Sequence, residues 1–92
     1  MITALVLLTV EPGRVKALAE ELLAVSGVTE VYSVAGGYDL VAIARVKEHD
    51  QLSDLVTEMI GGRDGILTTE TLIAFRAFAK RDLGQVWDIG VD

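Results

Sequence analysis

The sequence contains no cysteine, so no disulfide, iron–sulfur cluster or thiolate zinc site can form. That is compatible with a reducing compartment. It has a single proline, Pro12, and no Ser/Gly-rich or low-complexity tract, so nothing marks a domain boundary before about residue 80. Basic residues are scarce: eight Lys and Arg against fourteen Asp and Glu give a formal charge of −6, with a pI near 4.6. Nucleic-acid binding requires Lys and Arg to neutralise phosphates, so direct DNA or RNA contact is not expected. No apolar run approaches the roughly 20 residues of a membrane span. The apolar start, residues 1–10, lacks the basic region and small-residue cleavage site of a secretory signal. The expectation is a soluble, cytoplasmic protein with no membrane partner.

What is present is apolar surface. The 92 residues suffice for one domain, and 51% of them are hydrophobic, with a mean hydropathy of +0.45. A domain this small buries only about 60–65% of the surface its unfolded chain exposes. The excess points to a protomer that is completed by assembly.

Periodicity assigns the elements. Residues 2–10 are β-branched-rich and stop at Glu11-Pro12-Gly13, which predicts a strand. Both of its faces carry large apolar groups, so it should be central and covered on both sides. Residues 13–26 switch to helical spacing through Val15, Leu18, Ala19 and Leu22, with Pro12 suited to the first turn and Gly27 to the C′ position. Residues 28–35 and 38–46 read as strands joined at Gly36-Gly37, a hairpin signal. Residues 50–60 form a second amphipathic helix with a Leu52, Leu55, Val56, Met59, Ile60 stripe, stopped by Gly61-Gly62. Residues 66–78 form a fourth strand.

The order is βαββαβ. Right-handed crossovers put both helices on one sheet face. The expected fold is an α+β, ferredoxin-like sandwich of the dimeric α+β barrel type: an antiparallel four-stranded sheet, spatial order 4-1-3-2, with two helices on one face. The uncovered face would then expose Leu, Val and Ile. A patch that large marks an interface, so a homodimer packed sheet on sheet or edge on edge is expected.

Chemistry-bearing constellations are few. Glu48-His49-Asp50 sits where a helix starts and reads as a capping, solvated turn. The serines lack a nucleophile elbow, and neither Gly36-Gly37 nor Gly61-Gly62-Arg63-Asp64-Gly65 has phosphate-loop context. No catalytic residue, metal site or cofactor is expected. Two features remain. Asp39 opens an otherwise apolar strand after two glycines. It is either ordinary turn chemistry or, with accessible Gly backbone, a carboxylate for an ammonium-bearing small molecule. Thr69 and Thr71 share a strand face about 7 Å apart and are either normal strand residues or a pair of hydroxyls for a carboxylate.

Gly36-Gly37-Tyr38-Asp39-Leu40, the Leu52-Leu55-Val56 helix and Gly65-Ile66-Leu67-Thr68-Thr69-Glu70-Thr71-Leu72-Ile73 together resemble the effector domain of Lrp/AsnC feast/famine regulators, the RAM domain. Gly27 to Tyr32 is similar to that family's entry into its second strand. The resemblance covers about residues 2–78. It implies a dimer formed through the sheets, often a ring of four dimers, and an amino-acid effector held near the hairpin and the Thr-x-Thr strand. Carried over, the ligand-binding positions are Gly36, Gly37, Tyr38, Asp39, Leu40, Thr69 and Thr71. Full-length members carry a helix-turn-helix, whereas Met1 here leads straight into the first strand. The expectation is therefore a stand-alone amino-acid sensor, possible partners being a second copy and a full-length relative. Residues 1–78 would be the effector-binding domain. Residues 79–92 would be an extension that packs on its own or a neighbouring subunit, with Trp87 as anchor. The alternatives are an oligomeric scaffold without ligand, an ACT-type domain, and a small enzyme on a dimeric α+β barrel.

Overall fold

The computed structural model describes residues 1–80. The elements are β1 (Ile2–Val10), α1 (Val15–Leu23), β2 (Val28–Ser33), β3 (Leu40–Val46), α2 (His49–Ile60) and β4 (Ile66–Ala74). The sheet order is β2-β3-β1-β4, with every neighbour antiparallel. The βαββαβ sandwich expected from the sequence is therefore the fold, and β1 and β3 are its inner strands.

Strand alternation divides the apolar residues between two environments. On one face Ala4, Val6, Leu8 and Val10 of β1 and Leu40, Ala42 and Ala44 of β3 are buried. They pack with Leu18 and Leu22 of α1 and Leu52, Leu55 and Met59 of α2. The other face carries Leu5 and Leu7, paired with Ile43 and Val41 on one side and with Leu72 and Glu70 on the other. Tyr32 pairs with Val41 at the β2 side. Among the described residues no helix covers this face, and Leu72 and Tyr32 remain 44% and 49% exposed. Four strands by seven residues make an area about 19 Å by 23 Å.

Several boundaries are shorter than the sequence pattern predicts. Pro12 lies in the turn before α1, whose N-cap is Arg14. The helix ends with Ala24 as C-cap, so Gly27 stands three residues beyond the cap, at the entry to β2, with φ +98°. β4 stops at Ala74, and Phe75 and Phe78 project almost fully exposed. Trp87 and residues 81–92 lie outside the described residues. At the start of α2 the Gln51 Oε1 accepts the backbone N–H groups of Lys47 and Glu48 at 2.9 and 3.0 Å. This satisfies donors at the helix entry and makes Glu48 the N-cap of a capping box with Gln51, with His49 and Asp50 in the first turn.

Polar ties close the end of α1 nearest the α2–β4 connection. Glu21 accepts from Arg14 Nη2 and Arg63 Nη1, each at 3.3 Å. Arg14 also donates through Nε and Nη2 to the Asp64 carbonyl. The two guanidinium groups thus hold the Gly-rich connection against α1 through one carboxylate.

Gly27 and Gly13 separate two costs of adding a side chain. Both have positive φ, +98° and +91°. A Cβ at Gly27 would stand 2.5 Å from Leu55 Cδ1, whereas one at Gly13 meets nothing within 4 Å. In urea denaturation, Gly13→Ala is expected to cost about 1 kcal/mol and Gly27→Ala about 3 kcal/mol. Equal losses would mean that the Leu55 contact carries no weight.

Candidate functional site

The β2–β3 connection is a six-residue loop, 34–39, in place of the tight two-glycine turn that Gly36-Gly37 suggests. Of the two glycines only Gly36 has a positive φ, +133°. A Cβ at either would meet nothing within 4 Å. The loop is closed by the Val34 N–H donating to the Asp39 carbonyl at 3.0 Å.

Asp39 fixes the loop to β1. Its N–H donates to the Leu8 carbonyl at 2.8 Å, and its Oδ2 accepts the Val10 N–H at 2.9 Å. The β1–β3 ladder ends at Leu8–Leu40, so this carboxylate supplies an acceptor just where the strand no longer does. That explains why β3 starts at Leu40 and not at Tyr38. Leu40 itself is fully buried on the helix side and contributes packing at the loop base.

Tyr38 leaves the ladder in the other direction. Its hydroxyl donates to the Glu70 carboxylate on β4, so the side chain reaches across β1. Beside it the Thr9 and Thr68 hydroxyls share a hydrogen bond. The hydrogen bond to Glu70, aided by desolvation and the carboxylate charge, raises the Tyr38 pKa above its ordinary value of 10.0. Tyr32 is raised in the same way by its hydrogen bond to Glu30.

Thr69 and Thr71 stand on the edge strand opposite Leu8 and Val6. Opposed residues share a face, so both threonines are on the helix side. Thr69 is half-buried and Thr71 exposed. Leu40 and Thr69 both pair with Leu8, one on each side, so the loop base and Thr69 are level and about 10 Å apart across β1. The structure therefore brings the two candidate features to the same end of the sheet. It does not enclose them in one pocket within the chain: Tyr38 works on the open face and the threonines on the helix face.

Comparison with known proteins places the domain. The model of the Lrp/AsnC ligand binding domain matches residues 3–83. The chain belongs to the Lrp/AsnC ligand-binding domain family. It is 31% identical over 75 residues to the HTH-type transcriptional regulator FL11 of Pyrococcus furiosus, covering 82% of this chain and 49% of that protein. The chain thus spans about half the length of the curated relatives it matches. Among solved structures it is similar to TTHA0845 from Thermus thermophilus, with 49% identity, TM-score 0.79, and coverage of 86% of this chain and 99% of that one. It is also similar to FFRP-DM1, with 35% identity, TM-score 0.75, and coverage of 82% and 100%.

For this Lrp/AsnC chain the residues that sequence reasoning missed are Glu70, Thr9 and Thr68. Glu70 was visible as the one charge between Thr69 and Thr71, and alternation assigns it to the opposite face. Its partner Tyr38, more than thirty positions away, was not deducible from spacing. A groove of about 480 Å³ lies at the other end of the sheet, lined among others by Ser26, Gly27, Lys47, Asp54, Leu55 and Glu58. None of the candidate ligand residues lines it.

Two outcomes follow from the loop. Asp39→Ala removes the acceptor of the Val10 N–H and is expected to cost about 1–2 kcal/mol in urea denaturation. The Tyr38 pKa is raised on folding, so its contribution to stability is fully present below the ordinary tyrosine value. It is lost as pH rises through the higher folded value. Ultraviolet titration of tyrosinate is expected to show ionisation of Tyr38 above its ordinary value of 10.0 in the folded chain, with that step absent in Tyr38→Phe. A normal tyrosine midpoint would contradict the Glu70 contact.

Proposed function

We propose that this chain is an amino-acid-sensing module that works as a homo-oligomer in the cytoplasm. Its ligand site lies at the 36–40 loop and the Thr69/Thr71 strand and is completed by another subunit. The observation that carries the reading is the loop itself. Gly36 and Gly37 leave backbone donors and acceptors uncovered, and Asp39 is held through one carboxylate oxygen, which leaves the other for a ligand ammonium. Preorganisation of this kind lowers the cost of binding. Thr69 or Thr71 supplies hydroxyls for the ligand carboxylate. The distance between the two features, and the absence of an enclosing wall among the described residues, support a pocket closed by a neighbouring subunit.

The assembly reading rests on the open sheet face. Its centre is apolar (Leu5, Leu7, Val41, Ile43, Leu72), with Glu70 set beside it opposite Leu7, and its rim is polar (Thr3, Glu30, Arg45, Thr68), the composition of an interface core and rim. A second copy packed face to face covers it, and rings of such dimers, up to an octamer, are the larger assembly expected. Residues 1–78 are the sensing unit, and its role is regulatory and not catalytic. Any DNA contact is made by a full-length relative that co-assembles with it, because a charge of −6 disfavours phosphate binding.

Calorimetric titration with the twenty common L-amino acids tests the ligand class. Asp39→Asn keeps an acceptor oxygen for Val10 and removes the charge. Affinity is expected to fall at least about tenfold in this variant, the scale of a charge-assisted hydrogen bond, with the urea midpoint nearly unchanged. Absence of heat and of thermal shift with every amino acid would leave the oligomeric scaffold as the better reading.

A further inference from the structure

We propose that the Tyr38–Glu70 hydrogen bond makes the docked loop a condition for closing the sheet face, and so couples the ligand loop to dimerisation. The inference rests on the face-to-face dimer proposed above and names how that dimer is regulated. Glu70 stands on the open face opposite Leu7, with the Leu5–Leu72 pair on one side and the Thr9–Thr68 pair on the other. A second copy laid on this face strips water from the carboxylate, and a buried charge without a partner is heavily penalised. Among the described residues the donor that meets Glu70 is the Tyr38 hydroxyl.

That donor does not come from the sheet. It comes from loop 34–39, whose position depends on the hydrogen bonds between Asp39 and the β1 backbone. When the loop is docked, Glu70 is satisfied and the face can close. When the loop lifts, Tyr38 leaves, and the same face presents an unpaired carboxylate at the edge of its apolar centre. Binding that holds the loop in its docked pose therefore tightens the dimer, and by reciprocity dimer formation tightens binding at the loop. Glu70 acts here as a positioning residue, through Tyr38.

The experiment measures dimer dissociation constants of the full 92-residue chain by sedimentation, for wild type, Tyr38→Phe, Glu70→Gln and the double variant. Amide hydrogen exchange is followed at Val34 and Asp39. Tyr38→Phe leaves the charge unpaired and is expected to weaken the dimer at least about tenfold and to speed exchange in the loop. Glu70→Gln keeps an acceptor without the charge and is expected to stay within about threefold of wild type. The double variant should recover most of the loss, which simple damage to the loop would not do. A Tyr38→Phe dimer within about twofold of wild type, or a double variant as weak as Tyr38→Phe, overturns the coupling and leaves the dimer standing. A wild-type chain that is monomeric at every concentration overturns the dimer itself.

Discussion

The structure depends on β1 and β3 running side by side in the middle of the sheet with apolar side chains on both faces. Helices of nine and twelve residues cover one of those faces, and their Leu18, Leu22, Leu52, Leu55 and Met59 complete a core with Val6, Leu8 and Leu40. Nothing of the chain within residues 1–80 covers the other. Removing apolar surface from water is the main favourable term in folding and association, so a second copy laid on this face would complete the core on that side. Part of the chain's excess of hydrophobic residues lies on that face, along Leu5, Leu7, Val41, Ile43 and Leu72.

The proposed function rests on how the sheet ends. Where the ladder between β1 and β3 stops, Asp39 extends it with a carboxylate in place of a carbonyl. This pins a loop whose glycines remain uncovered. Tyr38 then ties that loop to β4 over the open face, while Thr69 and Thr71 point to the helix face of the same strand. One loop thus touches the open face and stands level with the strand that carries the hydroxyls, with β1 between them. At the α1 side of the molecule the Arg14–Glu21–Arg63 group does mechanical service, fixing the connection that leads into β4.

The fold was legible because its signals are local and periodic. Alternation in 2–10 and 40–46 identified the inner strands, helical spacing identified both helices, and the order of elements left one topology consistent with right-handed crossovers. Boundaries were less legible where a side chain takes over from the backbone. Asp39 delays the start of β3 to Leu40 by bonding Val10, which strand propensity does not encode. Gly27 reads as a helix cap but works as a close-packing point against Leu55, which is visible only in three dimensions. At the candidate site, Asp39 was legible as a charge out of place in an apolar strand. Glu70 was not, because its meaning depends on Tyr38 crossing β1. Leu40 illustrates the opposite error of scale: it belongs to the loop in sequence and to the core in space.

The proposed assembly lays a second copy of the chain on the open sheet face. Mixing isotope-labelled with unlabelled chain and recording isotope-filtered nuclear Overhauser spectra tests it most directly, because only contacts between copies give signals. With a second copy on the open face, intermolecular contacts are expected at the methyl groups of Leu5, Leu7, Val41, Ile43 and Leu72. Contacts confined to the outer surfaces of α1 and α2, with those methyl groups silent, would contradict it.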